Sequence, residues 1–198
     1  MKKADSRDYP PFEAYKQWEK AFALFATAIL FSLEGMTRNV QITTISNFIA
    51  RAVIALKGVF QLWEIEDYQD CWVIYRCMLD RLFHLHDLIT KDEFALFESW
   101  SFMQLYNARN KIRSDQSLKI KIDPKFFKDS PEDKQRYQDL LKCRPEWERP
   151  FAEEVAKHMK LEPLYKYGYD YASTLVHPMA TDGEFDFVLL TKFSKSQI

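Results

Sequence analysis

The sequence contains few of the residues that turn, break or cross-link a chain. Its 198 residues include only four glycines, eight prolines and three cysteines. A turn-rich all-β chain is excluded, because its many tight turns need glycine and proline. The cysteines, Cys71, Cys77 and Cys143, are odd in number, and a chain of this length needs no disulfide to fold. We therefore expect a reducing, cytoplasmic location.

An excess of charge of either sign is also absent. The 28 Lys and Arg residues are balanced by 29 Asp and Glu residues, so the formal net charge is −1. This balance excludes a strongly basic protein that wraps nucleic acid, and it excludes an acidic tail protein. Hydrophobic residues make up 47% of the chain, which excludes intrinsic disorder. What remains is a globular protein with a sizeable core.

The only apolar run that suggests a membrane or signal segment covers Ala21 to Leu33. It is shorter than the roughly 20 residues that a helix needs to cross a bilayer. Acidic residues such as Asp8 and Glu19 precede it, which is unlike a signal peptide. We therefore expect a buried helix here, and no membrane partner.

Proline is absent between Phe12 and Asp123, and this absence favours long helices. Weaker breaking signals, such as Gly35 and the Thr90-Lys91-Asp92 cluster, divide the region into four parts. The predicted helices cover residues 12–36, 40–63, 68–89 and 93–113. Because the connections are short, neighbouring helices must be antiparallel, as in a four-helix bundle. The sequence therefore predicts an all-α fold.

The second half of the chain predicts smaller elements packed on this core. Proline and acidic residues start helices over 131–143, 151–160 and 163–177. Alternating residues in 118–122 and 184–191 suggest one small extended pair. We expect a single domain over 1–198, in which 12–113 form the four-helix core and 114–198 form a basic loop and C-terminal helices.

A stripe of polar residues runs along the third predicted helix, which is otherwise apolar nearly all round. Arg76, Asp80, His84 and Asp87 follow one another at spacings of four, four and three residues. A helix with so much apolar surface lies centrally, so the stripe is expected to be partly desolvated and its charges paired. A structural ion pair and a functional site both fit this pattern.

The last predicted helix carries Asp170, Ser173 and His177 on one face. A hydrolase triad is disfavoured, because three members on one straight helix cannot place the base between nucleophile and carboxylate. We expect instead that Ser173 and His177 face Arg76 and Asp80. Such a cluster would favour the charged form of His177.

At these residues the chain resembles a bacterial family of helical proteins of unknown function. The family carries R-x-x-x-[ED] in a central helix, matched here by Arg76 and Asp80, although Asp replaces the usual Glu. It ends in Y-x-x-x-S-x-x-[VY]-H-P, matched from Tyr169 through Ser173 to His177 and its following proline. A preceding A-x-x-x-x-L-x-x-L-Y element matches residues 156–165. The resemblance covers roughly residues 75–178 and implies no reaction.

A more distant resemblance is to HEPN domains, helical bundles that often act as metal-independent ribonucleases in toxin and antiviral systems. Their R-x(4–6)-H motif is matched in spacing by Arg81 and His86, but these lie about 140° apart on a regular helix. A better HEPN-like pairing is Arg76 with His177, which would bind phosphate and transfer protons in a 2′-OH reaction. The candidate catalytic residues are Arg76, Asp80, Ser173 and His177.

A basic segment over 109–128 holds seven Lys or Arg residues against two Asp, a local net charge of +5. It predicts either an RNA-binding arm or a solvated basic loop. The candidate nucleic-acid-binding residues are Arg109, Lys111, Arg113, Lys119 and Lys121.

We expect no cofactor and no metal. The acids and histidines near Asp80 lack the Glu-x-x-His pairs of bundle metal sites, and the cysteines lack C-x-x-C spacing.

Two functions remain open. One is an RNA-directed effector with ribonuclease activity; the other is a non-catalytic module in which the cluster ties the last helix to the bundle. A homodimer through the apolar first helix is expected in either case.

Overall fold

The computed structural model describes residues 12–115 and 129–176. Within these ranges every regular element is a helix, so the predicted all-α class is confirmed. The elements are α1 (Phe12–Glu34), α2 (Val40–Glu64), α3 (Tyr68–Lys91), α4 (Phe94–Ser114), α5 (Pro131–Lys142), α6 (Ala152–His158), α7 (Glu162–Leu164), a π-helical turn (Tyr165–Asp170) and α8 (Tyr171–Val176). The predicted extended pair, 118–122 with 184–191, lies outside the described residues.

Side-chain caps set the boundaries of the long helices where proline is absent. Asn39 Oδ1 accepts a hydrogen bond from the backbone N–H of Ile42 (2.8 Å) at the start of α2. Asp67 accepts one from the N–H of Asp70 (3.1 Å) at the start of α3. That helix ends at Asp92, whose φ of 55° is left-handed. These local signals explain why α2 begins, and why α3 begins and ends, close to the predicted positions.

Helix α3 is the centre of the molecule, as its apolar circumference predicts. It packs against α2 on one side and against α6, the π-helical turn and α8 on the other. Leu79 and Phe83 form a core with Val155 and Ala156 of α6. Further along, Leu88 packs with Phe94 of α4 and with Trp147 from the segment before α6. The C-terminal helices are therefore fixed to α3 itself.

Helix α1 is not the buried helix that its apolar run predicts. Among the α1 residues whose burial the structure describes, only Ala26 is buried, whereas Leu24, Phe25 and Phe31 keep 66% to 71% of their surface exposed. The reason is that α1 packs chiefly on α2, and a helix with one neighbour buries only one side. The interpretation of residues 21–33 as a core helix was wrong for this reason.

Helix α2 has the length and composition of a membrane span. Its mean hydropathy over 18 residues reaches 1.3, with only 6% of that window buried. One such helix is weak support for a membrane location, and this one carries Arg51 and Lys57 and packs on α1, α3 and α4. Sequence analysis considered only residues 21–33 for this property and missed α2.

Candidate functional site

The last helical segment is bent out of α-helical register where it meets α3. A continuous helix from Pro163 to His177 was predicted, but Tyr165–Asp170 form a π-helical turn between α7 and α8. Gly168 lies at the closest approach to α3, where a Cβ atom would be 2.8 Å from Tyr75 Cε1 and 3.0 Å from Leu79 Cδ1. Glycine is therefore required for this contact. Widened turns of this kind often occur at functional sites.

The π-helical turn and α8 share a polar cluster with α3. We call Arg76, Asp80, Tyr169 and Ser173 the Arg76 cluster. Arg76 Nε–H donates to Ser173 Oγ at 2.8 Å, and Arg76 Nη2 donates to the hydroxyl of Tyr169 at 3.2 Å. The guanidinium carbon also lies 4.7 Å from the centroid of the Tyr169 ring. Arg76 therefore binds the last helical segment through two hydrogen bonds and a cation–π contact.

The two hydroxyl groups of the cluster both accept and donate. The Tyr169 hydroxyl donates to Asp80 Oδ1 at 3.0 Å, and the Ser173 hydroxyl donates to the backbone carbonyl of Tyr169 at 2.7 Å. Arg76 Nη1 lies 3.8 Å from Asp80 Oδ2. The Tyr169 hydroxyl thus links Arg76 to Asp80 through hydrogen bonds, because the direct ion pair between the two is longer than a hydrogen bond.

The Arg76 cluster is partly desolvated. The side chains of Arg76 and Asp80 keep only 20% and 18% of their surface exposed. Burial, followed by the negative charge of Asp80, raises the pKa of Tyr169 above its ordinary value. Tyr169 therefore stays protonated at neutral pH and can donate to Asp80.

Three of the four candidate catalytic residues come together, and the fourth lies outside the described part of the chain. Arg76, Asp80 and Ser173 share the cluster, while His177 follows the last described residue. Tyr169 is the member that sequence analysis missed as a partner. Its signal was the Y-x-x-x-S spacing, which places Tyr169 one turn before Ser173.

The remainder of the polar stripe faces other partners. The ring of His84 meets Trp147 edge to face, with centroids 5.7 Å apart, and burial lowers the pKa of His84. Asp87 Oδ2 lies 3.0 Å from Lys91 Nζ, one turn along the same helix. The stripe therefore divides into the Arg76 cluster and two separate contacts.

Arg81 and His86, which match the HEPN spacing, do not meet. Arg81 Nη1 donates to the backbone carbonyl of Cys77 at 2.8 Å, within α3. His86 Nε2 lies 2.9 Å from Nδ1 of His158 on α6. Each side chain has its own partner, as the 140° separation predicts.

Two of the candidate RNA-binding arginines contact an acid that lies just outside the predicted basic segment. Arg113 forms a two-pronged ion pair with Asp129, in which Nη2 is 2.6 Å from Oδ1. Arg109 Nη1 lies 3.9 Å from the same carboxylate. Lys111 is exposed on α4. Lys119 and Lys121 lie outside the described residues.

The described ranges contain no group of three His, Cys, Asp or Glu side chains placed to hold a metal ion. The cysteines are unpaired: Cys71 is buried, Cys77 is half-buried and Cys143 is exposed.

A family model described as a family of unknown function, DUF5677, matches residues 43–189. The chain belongs to this family. The DUF5677 match includes the Arg76 cluster, the π-helical turn and all of α3, whereas α1 precedes it. This membership confirms the expected relation to a helical family of unknown function. No curated protein and no solved structure matches the chain.

Proposed function

We propose that this DUF5677 chain is a non-catalytic binding module, in which the Arg76 cluster holds the last helical segment against α3. The observation that carries the proposal is the orientation of the Arg76 guanidinium. Its Nε, Nη1 and Nη2 face Ser173, Asp80 and Tyr169 of the same chain. A substrate phosphate would have to compete with these internal partners for the same donors.

The energetic argument concerns what is left when one member of the cluster is removed. Loss of the Arg76 guanidinium would leave the Asp80 carboxylate only 18% exposed and without its cation. Removing one partner of a desolvated ion pair costs much more than removing an exposed one. For a cluster that keeps a fifth of its surface in water, we expect a loss of about 2 kcal/mol.

The test compares Arg76→Met, Tyr169→Phe and Ser173→Ala by urea unfolding at neutral pH. We expect Arg76→Met to lower the free energy of unfolding by about 2 kcal/mol and Tyr169→Phe by about 1 kcal/mol. Arg76→Met combined with Ser173→Ala should cost less than the sum of the single variants, because both remove the same hydrogen bond. Arg51→Met, an exposed arginine on α2, is the matched control and should change stability by less than about 0.5 kcal/mol. Unchanged stability of Arg76→Met contradicts the proposal.

The second candidate function is a HEPN-like, RNA-directed effector, a metal-independent ribonuclease of toxin or phage-defence type. The observation in its favour is that Arg76 and Asp80 keep about a fifth of their surface accessible on one side of α3. In this case Arg76 binds a phosphate, Asp80 orients a proton and His177 acts as acid or base. Lys111, with Arg109, Arg113, Lys119 and Lys121, would guide the RNA.

Incubation of the purified protein with RNA, with and without a chelator, separates the two candidates. If the chain is a binding module, we expect no RNA cleavage above that of a control preparation without ribonuclease activity. Cleavage that persists with chelator and is abolished by His177→Ala, at unchanged unfolding free energy, would establish the ribonuclease instead.

We further infer a cytoplasmic location. It is supported by the three unpaired cysteines, which include the exposed Cys143. A protein of an oxidising compartment rarely keeps an exposed free thiol.

A further inference from the structure

An open cavity of about 530 Å³ lies between α2, α3 and the segment that includes the π-helical turn. It is separate from the hydrogen bonds of the Arg76 cluster. Aromatic side chains dominate its walls: Trp63, Tyr68, Trp72, Tyr75 and Tyr167. A volume of this size is within the range of small-molecule sites in proteins.

Four of the aromatic rings in the wall form two edge-to-face pairs. Trp63 and Tyr68 have centroids 5.6 Å apart and planes inclined by 84°. Trp72 and Tyr75 have centroids 5.8 Å apart and planes inclined by 75°. Tyr167, on the opposite wall, is 75% exposed. Ring faces carry partial negative charge, so a face that borders the cavity attracts an alkylated ammonium group more than a neutral one.

The charged residues at the edge of the cavity also favour a cation. From Trp63 to Asp70 the chain contains four acidic residues and no basic one. Two of them, Asp67 and Asp70, lie close enough to the cavity-lining Cys71 to add to the effect of burial in raising the pKa of its thiol. Lys16 of α1 pairs with one of these acids, Glu64. Lys166, next to the opposite wall, lies near enough to Glu153 of α6 to add to the effect of Lys157 in lowering the pKa of that acid. Acids therefore outnumber bases at this edge of the cavity, which favours a cation over an anion.

We propose that this aromatic cavity binds a small organic cation with a quaternary or alkylated ammonium group. The inference goes beyond the module role proposed for the Arg76 cluster, and neither depends on the other's test. The rings supply cation–π contacts, while the acidic turn between α2 and α3 supplies long-range attraction. A neutral ligand of equal shape receives only the apolar contacts.

The test uses choline as the probe and 3,3-dimethyl-1-butanol, its uncharged carbon isostere, as the comparison. Binding to the full chain is measured by calorimetry and by tryptophan fluorescence, to which Trp63 and Trp72 of the cavity contribute. We expect choline to bind at least about tenfold more tightly than the isostere. Equal affinity for the two would overturn the proposal, and so would the absence of choline binding at tens of millimolar.

Substitutions in and outside the cavity test where choline binds. Tyr167→Ala removes a largely exposed ring, so the fold should survive while choline affinity falls about tenfold. Asp70→Asn should weaken choline binding and leave binding of the isostere unchanged. Trp18→Leu is the matched control, because Trp18 is 66% exposed on α1 and does not line the cavity. A folded Tyr167→Ala protein with undiminished choline affinity would contradict the assignment.

Discussion

At the residue scale, Asp129 is the carboxylate most firmly held by neighbouring groups in the described part of the chain. Its side chain is only 2% exposed and lies in a two-pronged ion pair with Arg113. The hydroxyl of Tyr106 donates a third hydrogen bond, at 2.9 Å. Because the basic segment 109–128 ends one residue before this acid, its charge of +5 overstates what faces solvent. Arg109 and Arg113 therefore stabilise the fold in addition to any contact with RNA.

Asp129 makes stability depend on pH in a defined range. Hydrogen bonds from Arg113, and then from Tyr106, lower the pKa of Asp129 from 3.8 to about 2. A carboxylate with a lowered pKa stabilises the fold above its unfolded-state pKa and loses that contribution as pH falls. We expect Asp129→Asn to lose about 2 kcal/mol at pH 7. The difference from wild type should shrink between pH 4 and pH 2, measured by urea unfolding.

Asp139→Asn is the control for this effect. Asp139 is paired with Lys142 at 2.7 Å, but its side chain is 54% exposed, so water screens the interaction. Its substitution should leave the free energy of unfolding close to that of the wild type at every pH. A loss in Asp129→Asn that is the same at pH 7 and pH 3 would show that packing, and not charge, explains the effect.

Contacts between residues close in sequence were predicted better than contacts between residues far apart in sequence. Arg76 and Asp80 are one turn apart on α3, so their proximity follows from helix geometry alone. Ser173 was placed against them because a motif and an apolar central helix both pointed there. The bond from Tyr169 to Asp80 and the pairing of Arg113 with Asp129 were not predicted. Both depend on how separate segments turn toward each other, and the Y-x-x-x-S spacing places Tyr169 beside Ser173 without indicating its bond to Asp80.

At the element scale, the π-helical turn sets the distance between α3 and the C-terminal helices. Gly168 is buried against Tyr75 and Leu79 of α3. From the same turn, the hydroxyl of Tyr169 donates to Asp80, and the centroid of its ring lies 5.9 Å from that of Phe83. The turn therefore contributes to both the aromatic cavity and the Arg76 cluster. A change in this turn should affect both sites together.

Gly168→Ala tests the close contact between the turn and α3. The new Cβ atom would lie 2.8 Å from Tyr75 Cε1, so the turn or the ring must move. Overpacking of this kind typically costs about 1 to 3 kcal/mol. We expect a lower free energy of unfolding for Gly168→Ala and part of the loss restored by Tyr75→Leu, which removes the clashing ring atoms. Additive effects of the two substitutions would contradict the contact.

Gly58→Ala provides the matched control within α2. There a Cβ atom would meet only Ile74 Cδ1, at 3.4 Å, which is an ordinary contact. Alanine also favours helix over glycine by up to about 1 kcal/mol. We therefore expect Gly58→Ala to leave stability unchanged or to raise it, in contrast to Gly168→Ala.

Whole elements were likewise predictable where their signals are local in sequence, and not where they depend on packing. Caps at Asn39 and Asp67 and the left-handed Asp92 are local signals, so α2 and α3 could be placed from sequence. The π-helical turn could not, because Tyr165–Asp170 have the composition of an ordinary helix and are widened by contact with α3. Burial of α1 was also misjudged, since its apolar composition says nothing of how many neighbours it has.

At the scale of the whole molecule, α1 stands apart from the rest. The match to DUF5677 begins at residue 43, inside α2, and α1 packs chiefly on that helix. Its exposed apolar residues recur every seventh position: Leu24 with Phe31, and Trp18 with Phe25. Such a repeat on neighbouring stripes is the pattern by which helices pair with one another. Exposed apolar surface of this kind usually marks an interface.

We therefore propose that α1 forms a homodimer with α1 of a second copy. Sedimentation equilibrium should give twice the chain mass of 23.6 kDa for wild type, and the single chain mass for Phe25→Glu with Phe31→Glu. The charges would be buried unpaired in the interface but remain exposed in the monomer, where these residues are 66% and 69% accessible. Leu105→Glu on α4, at a residue that is 64% exposed, should leave the dimer intact. A wild-type mass of one chain at about 100 µM would contradict the proposal, because the Kd of a specific dimer interface lies well below that concentration.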